Sequence, residues 1–300
     1  MFFLGLDIGG TTVKGCVMSD GGRVVYQITI GSVKGDPDAL ANAIITALSG
    51  FRSTISAVGI SCAGTVNTRT HLISASNLKW DSVPFEAIME IKLGCPVIAD
   101  NDVSGALRAE HAVGVCVNEN NVVYIALGTG IGGAFLINGE PYRGSDNTGG
   151  EVGHMITHAD GLPCACGGRG CFEQYASSSA LTKKAGCPAR EIFRRVRAGD
   201  ESMIRILEEY CHELCIGLRS VIHMFRPDML ILGGGVGSAG EALLSRVRQE
   251  FERDPAGLRG LAMPRIVTPR LGNSAGSVGA CFLAAEAIGV TIRTETFQLP

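Results

Sequence analysis

Residues 2–18 read FFLGLDIGGTTVKGCVM, and residues 122–137 read VVYIALGTGIGGAFLI. Each stretch places a turn of glycine and threonine between two apolar runs, a pattern that predicts a strand, a turn and a returning strand. Residues 24–30 add a further strand to the first copy. Because the unit occurs twice, about 120 residues apart, we predict two lobes with a cleft between them that holds a phosphate-sized ligand. Two unrelated glycine-rich hairpins are the alternative.

The rest of the chain alternates short β-rich runs with longer amphipathic segments, which is typical of an α/β protein. We predict strands at 55–60, 96–99 and 229–232, helices at 38–48, 84–93, 103–111 and 275–288, and a long loop at 61–83. The expected organisation is a small N-terminal lobe at 1–113, a large C-terminal lobe at 114–288 that contains a cysteine-rich loop, and a tail at 289–300 that could pack back on the N-terminal lobe.

The composition excludes several classes of protein. Hydrophobic residues make up 46% of the 300 residues and charged residues 18%, which is too apolar a balance for a disordered chain. The net charge of −3 does not favour nucleic acid or an anionic membrane as a partner, and no apolar run predicts a membrane span. The 11 cysteines are odd in number and mostly scattered, which argues against a disulfide framework. With no apolar leader, we expect a cytoplasmic protein.

Three glycine-rich turns are candidate phosphate sites, each at the end of an apolar strand: 9–12, 128–133 and 233–235. Backbone amides in such turns can hold phosphate oxygens, and Asp7, just ahead of the first turn, could hold Mg²⁺. The first turn is not a Walker A loop, because it lacks the lysine and opens into a strand. Tight hairpins use the same residues, so a structural role is the alternative for each turn.

One imidazole and three thiols follow the second turn, as His154-x9-Cys164-x-Cys166-x4-Cys171. This set matches a closed tetrahedral zinc site, because thiolates select zinc over hard cations. With no open coordination position, the zinc would be structural and would fix the neighbouring acids Glu151 and Glu173. The alternative is a flexible, redox-active cysteine loop.

Asn101 and Asp102 follow the short strand predicted at 96–99. Ligands collect at the carboxyl ends of strands in α/β folds. Asp102 could therefore accept a proton from a substrate hydroxyl during phosphoryl transfer. A helix N-cap is the alternative role, because aspartate and asparagine are both favoured there.

Together these motifs resemble the ROK family of sugar kinases, on the actin/hexokinase-like ATPase fold, over essentially the full length of the chain. The matching segments are 7–15, 101–102, 128–133, 149–154, 161–173 and 227–235. The most specific of them is GEVGH at 150–154 followed by CxCGxxGCxE at 164–173. The resemblance implies ATP phosphates at the first two turns, adenosine at 233–235, and a hexose whose primary hydroxyl meets Asp102 as general base.

The site residues expected from the motifs and the resemblance fall into three groups. Those expected around the sugar are Asn101, Asp102, Glu151, His154, Glu173 and Gly64. Those expected around ATP and Mg²⁺ are Asp7, Gly9, Gly10, Thr11, Thr12, Lys14, Gly128, Thr129, Gly130, Gly132, Gly133, Gly233, Gly234 and Gly235. Those expected around a structural Zn²⁺ are His154, Cys164, Cys166 and Cys171. His154 would then face zinc through one ring nitrogen and sugar through the other.

The expected activity is ATP-dependent phosphorylation of a hexose. SNLKW at 76–80 resembles the glucokinase-like members, which favours glucose at its 6-hydroxyl. CAGTVN at 62–67 departs from the Pro-Gly-Pro of many members, which keeps N-acetylmannosamine, fructose and related sugars open. The resemblance also suggests a homo-oligomer, a dimer or tetramer.

Two other functions are weaker alternatives. One is a sugar-sensing transcriptional repressor of the same family. Such repressors carry a winged-helix domain ahead of the core, and the six residues before Asp7 leave no room for one. The acidic balance does not favour DNA either. The other is a catalytically silent sugar-binding subunit, against which the intact Asp7, Asp102 and glycine turns argue.

Overall fold

The computed structural model describes residues 1–254, 258 and 260–299. The strands among them are β1 (Phe2–Ile8), β2 (Thr12–Ser19), β3 (Val24–Gly31), β4 (Ile55–Cys62), β5 (Thr65–Asn67), β6 (Leu72–Ala75), β7 (Trp80–Val83), β8 (Val97–Asn101), β9 (Val122–Leu127), β10 (Ile131–Ile137), β11 (Glu140–Pro141), β12 (Met229–Gly233) and β13 (Arg265–Val267). The α-helices are α1 (Pro37–Ala47), α2 (Phe85–Leu93), α3 (Asp102–Val113), α4 (Glu173–Ala176), α5 (Ser178–Ala185), α6 (Ala189–Arg197), α7 (Glu201–Phe225), α8 (Gly234–Gly237), α9 (Glu241–Arg253) and α10 (Ala275–Ala287).

The chain divides into two compact units. Unit 1 consists of Met1–Asn118, Arg143–Gly149 and Arg270–Pro300, and unit 2 consists of Glu119–Tyr142 and Gly150–Pro269. None of the helices among the described residues combines the length and the apolar character that a membrane span needs. All eleven cysteines are free thiols.

The sheet of unit 1 has the strand order β3-β2-β1-β4-β8. β1 pairs antiparallel with β2 and parallel with β4, which pairs parallel with β8. Successive side chains of β1 point to opposite faces: Leu4 and Leu6 pack in the cluster that includes α1 and α2, whereas Phe3 packs in the cluster that includes α10. The carboxyl ends of β1, β4 and β8 therefore lie side by side at one edge.

The sheet of unit 2 repeats this arrangement in the order β11-β10-β9-β12-β13. Here β9 and β10 form the antiparallel hairpin, and β12 and β13 continue the sheet in parallel with β9. The long helix α7 contributes Leu207, Leu214 and Leu218 to the core against the sheet. Two sheets of the same topology, each built on a strand–turn–strand unit, confirm the duplicated α/β core that the sequence predicts.

The segment predicted as a long loop, 61–83, instead contains a three-stranded antiparallel sheet in the order β5-β6-β7. Its strands are three or four residues long, too short for a periodicity to show. The sheet is held by burial: Trp80 is 4% exposed and lies against Phe85 at a ring separation of 4.7 Å. The 3₁₀ helix Ser76–Leu78 connects β6 with β7.

The division into units also differs from the lobes predicted at 1–113 and 114–288. The predicted C-terminal lobe included α10, but this helix packs on β1 and α3 in unit 1. The reason is a close approach: a Cβ placed on Gly5 would lie 1.9 Å from the Ser277 carbonyl oxygen. Small residues let a helix from the far end of the chain lie directly on the N-terminal sheet. Near the terminus, the Arg293 amide donates to the Asp20 carbonyl at 3.0 Å, so the tail also lies on unit 1.

Candidate active site

The β1–β2 turn is held closed by its own backbone and by the chain after β3. The Gly9 amide donates to the Thr12 carbonyl at 3.1 Å, and the Ser32 hydroxyl donates to the Gly9 carbonyl at 2.6 Å. A Cβ on Gly10 would lie 2.8 Å from the Asn77 Cβ, so the turn fits against residues 76–78 only with glycine at that position. The first candidate phosphate site is therefore a rigid turn.

Asp7 lies one residue before the end of β1 and pairs in register with Lys14 across the hairpin. A Cβ on Gly276 would lie 2.6 Å from the Asp7 Cγ, which places this carboxyl group against the first turn of α10. Burial raises the pKa of Asp7 above its ordinary value, and the nearby Lys14 charge opposes part of that rise. An anionic Asp7 is thus costly in the protein alone and would be relieved by a bound cation.

Asp7 and Asp102 are brought to the same edge of the sheet by three adjacent strand ends. Ile8 of β1 pairs with Cys62 of β4, and Cys62 pairs with Asn101 of β8. Burial raises the pKa of the Cys62 thiol to about 12, and the charges of Asp102 and Asp7 add to that rise. Both carboxylates therefore lie near one buried thiol, as the strand order requires.

The capping role considered for Asp102 belongs to Asn101. The Asn101 Oδ1 accepts from the amides of Val103 at 2.9 Å and Ser104 at 3.4 Å, and this caps α3. The Asn101 Nδ2 donates to the Gly64 carbonyl at 3.0 Å. Asp102 is the first residue of α3, and its Oδ1 accepts from the Val103 amide at 3.0 Å. The structure therefore joins the predicted sugar residues 64, 101 and 102.

The β9–β10 turn is shorter than the predicted 128–133. The Gly128 amide donates to the Gly130 carbonyl at 3.0 Å, and β10 already begins at Ile131. Gly132 and Gly133 are consequently strand residues, not turn residues. A Cβ on Gly133 would lie 2.7 Å from the Gly150 carbonyl oxygen, so packing explains this glycine.

The third glycine run lies beside the second turn, because β12 pairs with β9 and matches Gly233 with Ala126. A Cβ on Gly233 would lie 2.2 Å from the Tyr124 hydroxyl oxygen, and Gly234 has a φ of +78° with the Leu127 backbone against it. Packing alone accounts for these two glycines. At Gly235, by contrast, no described atom outside its chain neighbours and the backbone of its own helix lies within 4 Å of an added Cβ, so this residue leaves room for a ligand.

The cysteine-rich loop brings four ligand atoms together. One atom from each of His154, Cys164, Cys166 and Cys171 lies within 4.8 Å of all the others. The Cys164 Sγ is 3.8 Å from the His154 Nδ1, and the Cys166 Sγ is 3.6 Å from the Cys171 Sγ. Sulfur ligands about 2.3 Å from a zinc ion in a tetrahedron are about 3.8 Å apart, so this donor set fits zinc.

The electrostatics of the cysteine-rich loop also favour a bound cation. Burial raises the pKa of the Cys164 thiol and that of Cys171, the latter to about 12, whereas a hydrogen bond from the Gly168 backbone lowers the pKa of Cys166. Three crowded thiolates are unfavourable without a cation among them. Glycine supplies the left-handed backbone that the loop needs at Gly167 and Gly170.

Glu173 connects this cluster to the second turn. Its Oε1 accepts from the Cys164 thiol at 3.1 Å and lies 3.8 Å from the His154 Nδ1. A Cβ placed on Gly130 would lie 2.4 Å from the Glu173 Oε2, so this carboxylate lies directly against the second turn. Glu151, which was expected to be fixed in the same way, is exposed. The structure therefore assembles His154 and Glu173 with the cysteines but shows no comparable constraint on Glu151 among the described contacts.

Gln174 is an additional residue of the site, beyond those predicted from the sequence. Its Nε2 donates to the Cys164 Sγ at 3.5 Å and to the Glu173 Oε1 at 3.4 Å. An amide that bridges a ligand thiol and an acid orients both of them. The available signal was its position in the first turn of α4, next to Glu173.

Two sheets of the same order, each with a glycine turn between its first antiparallel strands, define the actin/hexokinase-like ATPase fold. The chain belongs to the ROK family, whose family model matches residues 3–287. It is an ATP-dependent sugar kinase.

Named relatives support this placement. The chain is 32% identical to a glucokinase of Streptomyces coelicolor, over 94% of this chain and 97% of that protein. It is 29% identical to an N-acetylmannosamine kinase of Citrobacter koseri, over 95% and 99% of the two chains. Among solved structures, a ROK-family glucokinase from Streptomyces griseus in complex with glucose and AMPPNP superposes with a TM-score of 0.82. That structure is 29% identical and covers 95% of this chain and 100% of its own.

Proposed function

We propose that this kinase is a glucokinase, which transfers the γ-phosphoryl group of ATP to the 6-hydroxyl of glucose. The observation that carries the proposal is the pair of carboxylates, Asp7 and Asp102, placed beside Cys62 at one sheet edge next to the first glycine turn. Phosphoryl transfer needs one carboxylate to accept a proton and another to hold the metal that accompanies the phosphates. The glucokinase relatives and the SNLKW segment at 76–80 favour glucose.

In this proposal each residue at the edge has one task. The Asp102 carboxylate accepts the proton of the sugar 6-hydroxyl. At the same time the oxygen of that hydroxyl forms a bond to the γ-phosphorus, and the bond between the γ-phosphorus and the ADP oxygen breaks. The Asp7 carboxylate holds Mg²⁺ or its water ligands. Mg²⁺, when bound with ATP, neutralises the charge that develops on the phosphates. Lys14, paired with Asp7 across the hairpin, adds a positive charge near the same phosphates.

The glycine turns would hold the nucleotide. We assign the ATP phosphates to the backbone amides at 9–12 and 128–130, and the adenosine side to Gly235, which has open space above it. Thr11, Thr12 and Thr129 add hydroxyl groups to these turns. Gly132, Gly133, Gly233 and Gly234 support the turns through packing and need not touch the nucleotide.

The sugar would be held by Asn101, Glu151, His154 and Glu173, with Gly64 fixing the amide of Asn101. We assign a structural Zn²⁺ to His154, Cys164, Cys166 and Cys171, because their spacing fits a closed tetrahedral site. The His154 Nδ1 faces the cysteines, so its Nε2 is the nitrogen available to a sugar hydroxyl. Zinc would thereby orient a residue of the sugar site.

N-acetylmannosamine is the second candidate substrate. It is favoured by the N-acetylmannosamine kinase of Citrobacter koseri, at 29% identity, and by the unusual CAGTVN sequence at 62–67. A buried polar group that loses its partner costs about 1–3 kcal/mol, so each mispaired hydroxyl should lower kcat/KM about 10- to 100-fold.

The test is kcat/KM for glucose, mannose, fructose, N-acetylglucosamine and N-acetylmannosamine, measured side by side with ATP and Mg²⁺. We expect glucose to be the best substrate by at least about tenfold. A higher value for an acetylated sugar would contradict the glucose assignment and leave the roles of Asp7 and Asp102 intact.

A further inference from the structure

A buried carboxylate lies directly before the Asn101–Asp102 pair. Asp100 is 1% exposed, and its Oδ1 accepts from the Asn101 amide at 2.8 Å and from the Asn147 Nδ2 at 3.0 Å. Its Oδ2 accepts from the Arg143 Nη1 at 3.1 Å, and the Arg108 Nη2 lies 3.7 Å away. Two guanidinium groups, a side-chain amide and a backbone amide thus surround one carboxylate.

These contacts tie the segment 143–149 to the end of β8 within unit 1. The Asn147 side chain is fully used, because its Oδ1 accepts from the Arg143 Nη1 at 3.0 Å and its Nδ2 also donates to the Val66 carbonyl at 3.3 Å. Asn147 has a φ of +68°, a left-handed backbone conformation. Such a conformation persists only where the surrounding contacts hold it.

A buried ion pair is a weak source of stability, because desolvation offsets most of its attraction. An apolar side chain at position 100 would fill the same space without that cost. What the carboxylate does that an apolar group cannot is fix the direction of the Asn101 amide. Asn101 in turn caps α3 and binds the Gly64 carbonyl, so its backbone sets where Asp102 begins the helix.

We propose that Asp100 is a positioning residue for the Asn101–Asp102 pair and that Arg143 is the counter-charge that holds it in place. The inference rests on the proposed role of Asp102 as general base. Asp100 touches no substrate and acts through the backbone of its two neighbours. A displacement of a catalytic group by about 1 Å can lower turnover about 100-fold.

The experiment compares Asp100→Asn with Glu110→Gln in the full chain. Glu110 is the matched control, because it is also a buried carboxylate of unit 1, and it accepts from the amides of Val115 at 2.8 Å and Leu271 at 2.7 Å. We expect Asp100→Asn to lower kcat about 100-fold with an unchanged KM for ATP. We expect Glu110→Gln to lower the Tm but to keep kcat within about threefold.

Arg143→Gln provides a second, milder variant, because the Arg143 side chain is 34% exposed and its loss should not prevent folding. We expect it to lower kcat about tenfold, and we expect the double variant with Asp100→Asn to lose little more than Asp100→Asn alone. If Asp100→Asn does not fold, Arg143→Gln decides.

Three results would overturn the inference. The first is a kcat within about threefold of the parent protein for both Asp100→Asn and Arg143→Gln. The second is an equal loss of kcat in Glu110→Gln, which would mark a general effect of destabilisation. The third is full turnover in Asp102→Asn, which would remove the proposed base itself. Only this third result also counts against the proposed function, so the two failures are distinguishable.

Discussion

The two glycine turns occupy equivalent places in sheets of the same topology, yet they carry different chemistry. In the first hairpin the second pair back from the turn is Asp7 with Lys14, and in the second hairpin it is Ala126 with Gly132. Unit 1 therefore has a carboxyl group and an amino group at positions where unit 2 has only small, uncharged residues. The duplication therefore repeats the backbone of the hairpin but not its charged pair.

The neighbours of the two turns differ in the same way. The first turn packs against Asn77, which is anchored in a small sheet, whereas the second packs against Glu173, which also contacts the zinc-ligand cluster. The first turn is one residue longer between its last paired residues, Ile8 with Val13 against Leu127 with Ile131. The first turn is thus fixed by a contact with the segment between two short strands, and the second by a contact with a carboxylate of the cysteine cluster.

The largest effect should come from the charged edge of unit 1. Replacing Asp102 with asparagine removes the proposed proton acceptor but keeps the shape of the first turn of α3, so we expect kcat to fall about 1,000-fold. Glucose affinity, measured by calorimetric titration, should change less than about threefold. Asp81→Asn, at an exposed carboxyl group in β7, is the control. A kcat of Asp102→Asn near that of Asp81→Asn would contradict the proposed role of Asp102 as proton acceptor, and with it the catalytic contribution expected of unit 1.

Asp7→Asn should separate function from stability. Removing the proposed metal ligand should lower turnover about 100-fold at saturating ATP. Because burial raises the pKa of Asp7 in the folded protein above the ordinary 3.8, the native state binds this proton more tightly than the unfolded state does. Ionising Asp7 therefore lowers the free energy of unfolding as the pH rises from the ordinary pKa of 3.8 through the raised pKa of the folded protein.

Thermal unfolding of the Asp7→Asn variant and its parent, without nucleotide or Mg²⁺, tests the second half of this prediction. We expect the variant to have the higher Tm at pH 7 and the difference to shrink as pH falls toward 4. Asp20→Asn, at a half-exposed carboxyl group of the same unit, should show no comparable gain. A lower Tm for Asp7→Asn at pH 7 would mean that the carboxylate is stabilised by its surroundings.

Much of this contrast was open to prediction from the sequence, because it rests on local signals. The repeated strand–turn–strand pattern, Asp7, and the spacing of His154 and the cysteines are short-range features with a direct structural meaning. What could not be predicted depends on contacts between distant residues. The packing of α10 on β1, the Asp100–Arg143 pair and the position of Glu173 beside Gly130 each join segments more than 40 residues apart.

The cysteine loop tests whether unit 2 depends on a metal. We expect about one zinc ion per chain by elemental analysis and its loss in Cys166→Ser. Because His154 and Glu173 would then lose their fixed positions, the KM for glucose should rise at least about tenfold, with a smaller change in the KM for ATP. Cys187→Ser, outside the cluster, is the control and should keep both the metal and the KM. Full sugar affinity in metal-free protein would contradict the structural role.

The smallest expected effect concerns the second turn alone. A Cβ on Gly130 would lie 2.4 Å from the Glu173 Oε2, whereas a Cβ on Gly128 would have its nearest described contact at 3.9 Å. Gly130→Ala should therefore displace the Glu173 carboxylate and raise the KM for glucose about fivefold to tenfold, roughly the loss of one hydrogen bond. Gly128→Ala adds the same methyl group to the same turn without that clash, so it should leave the KM for glucose unchanged. If both variants changed only the KM for ATP, the second turn would serve the nucleotide alone, and Glu173 would owe its position to the cysteine cluster.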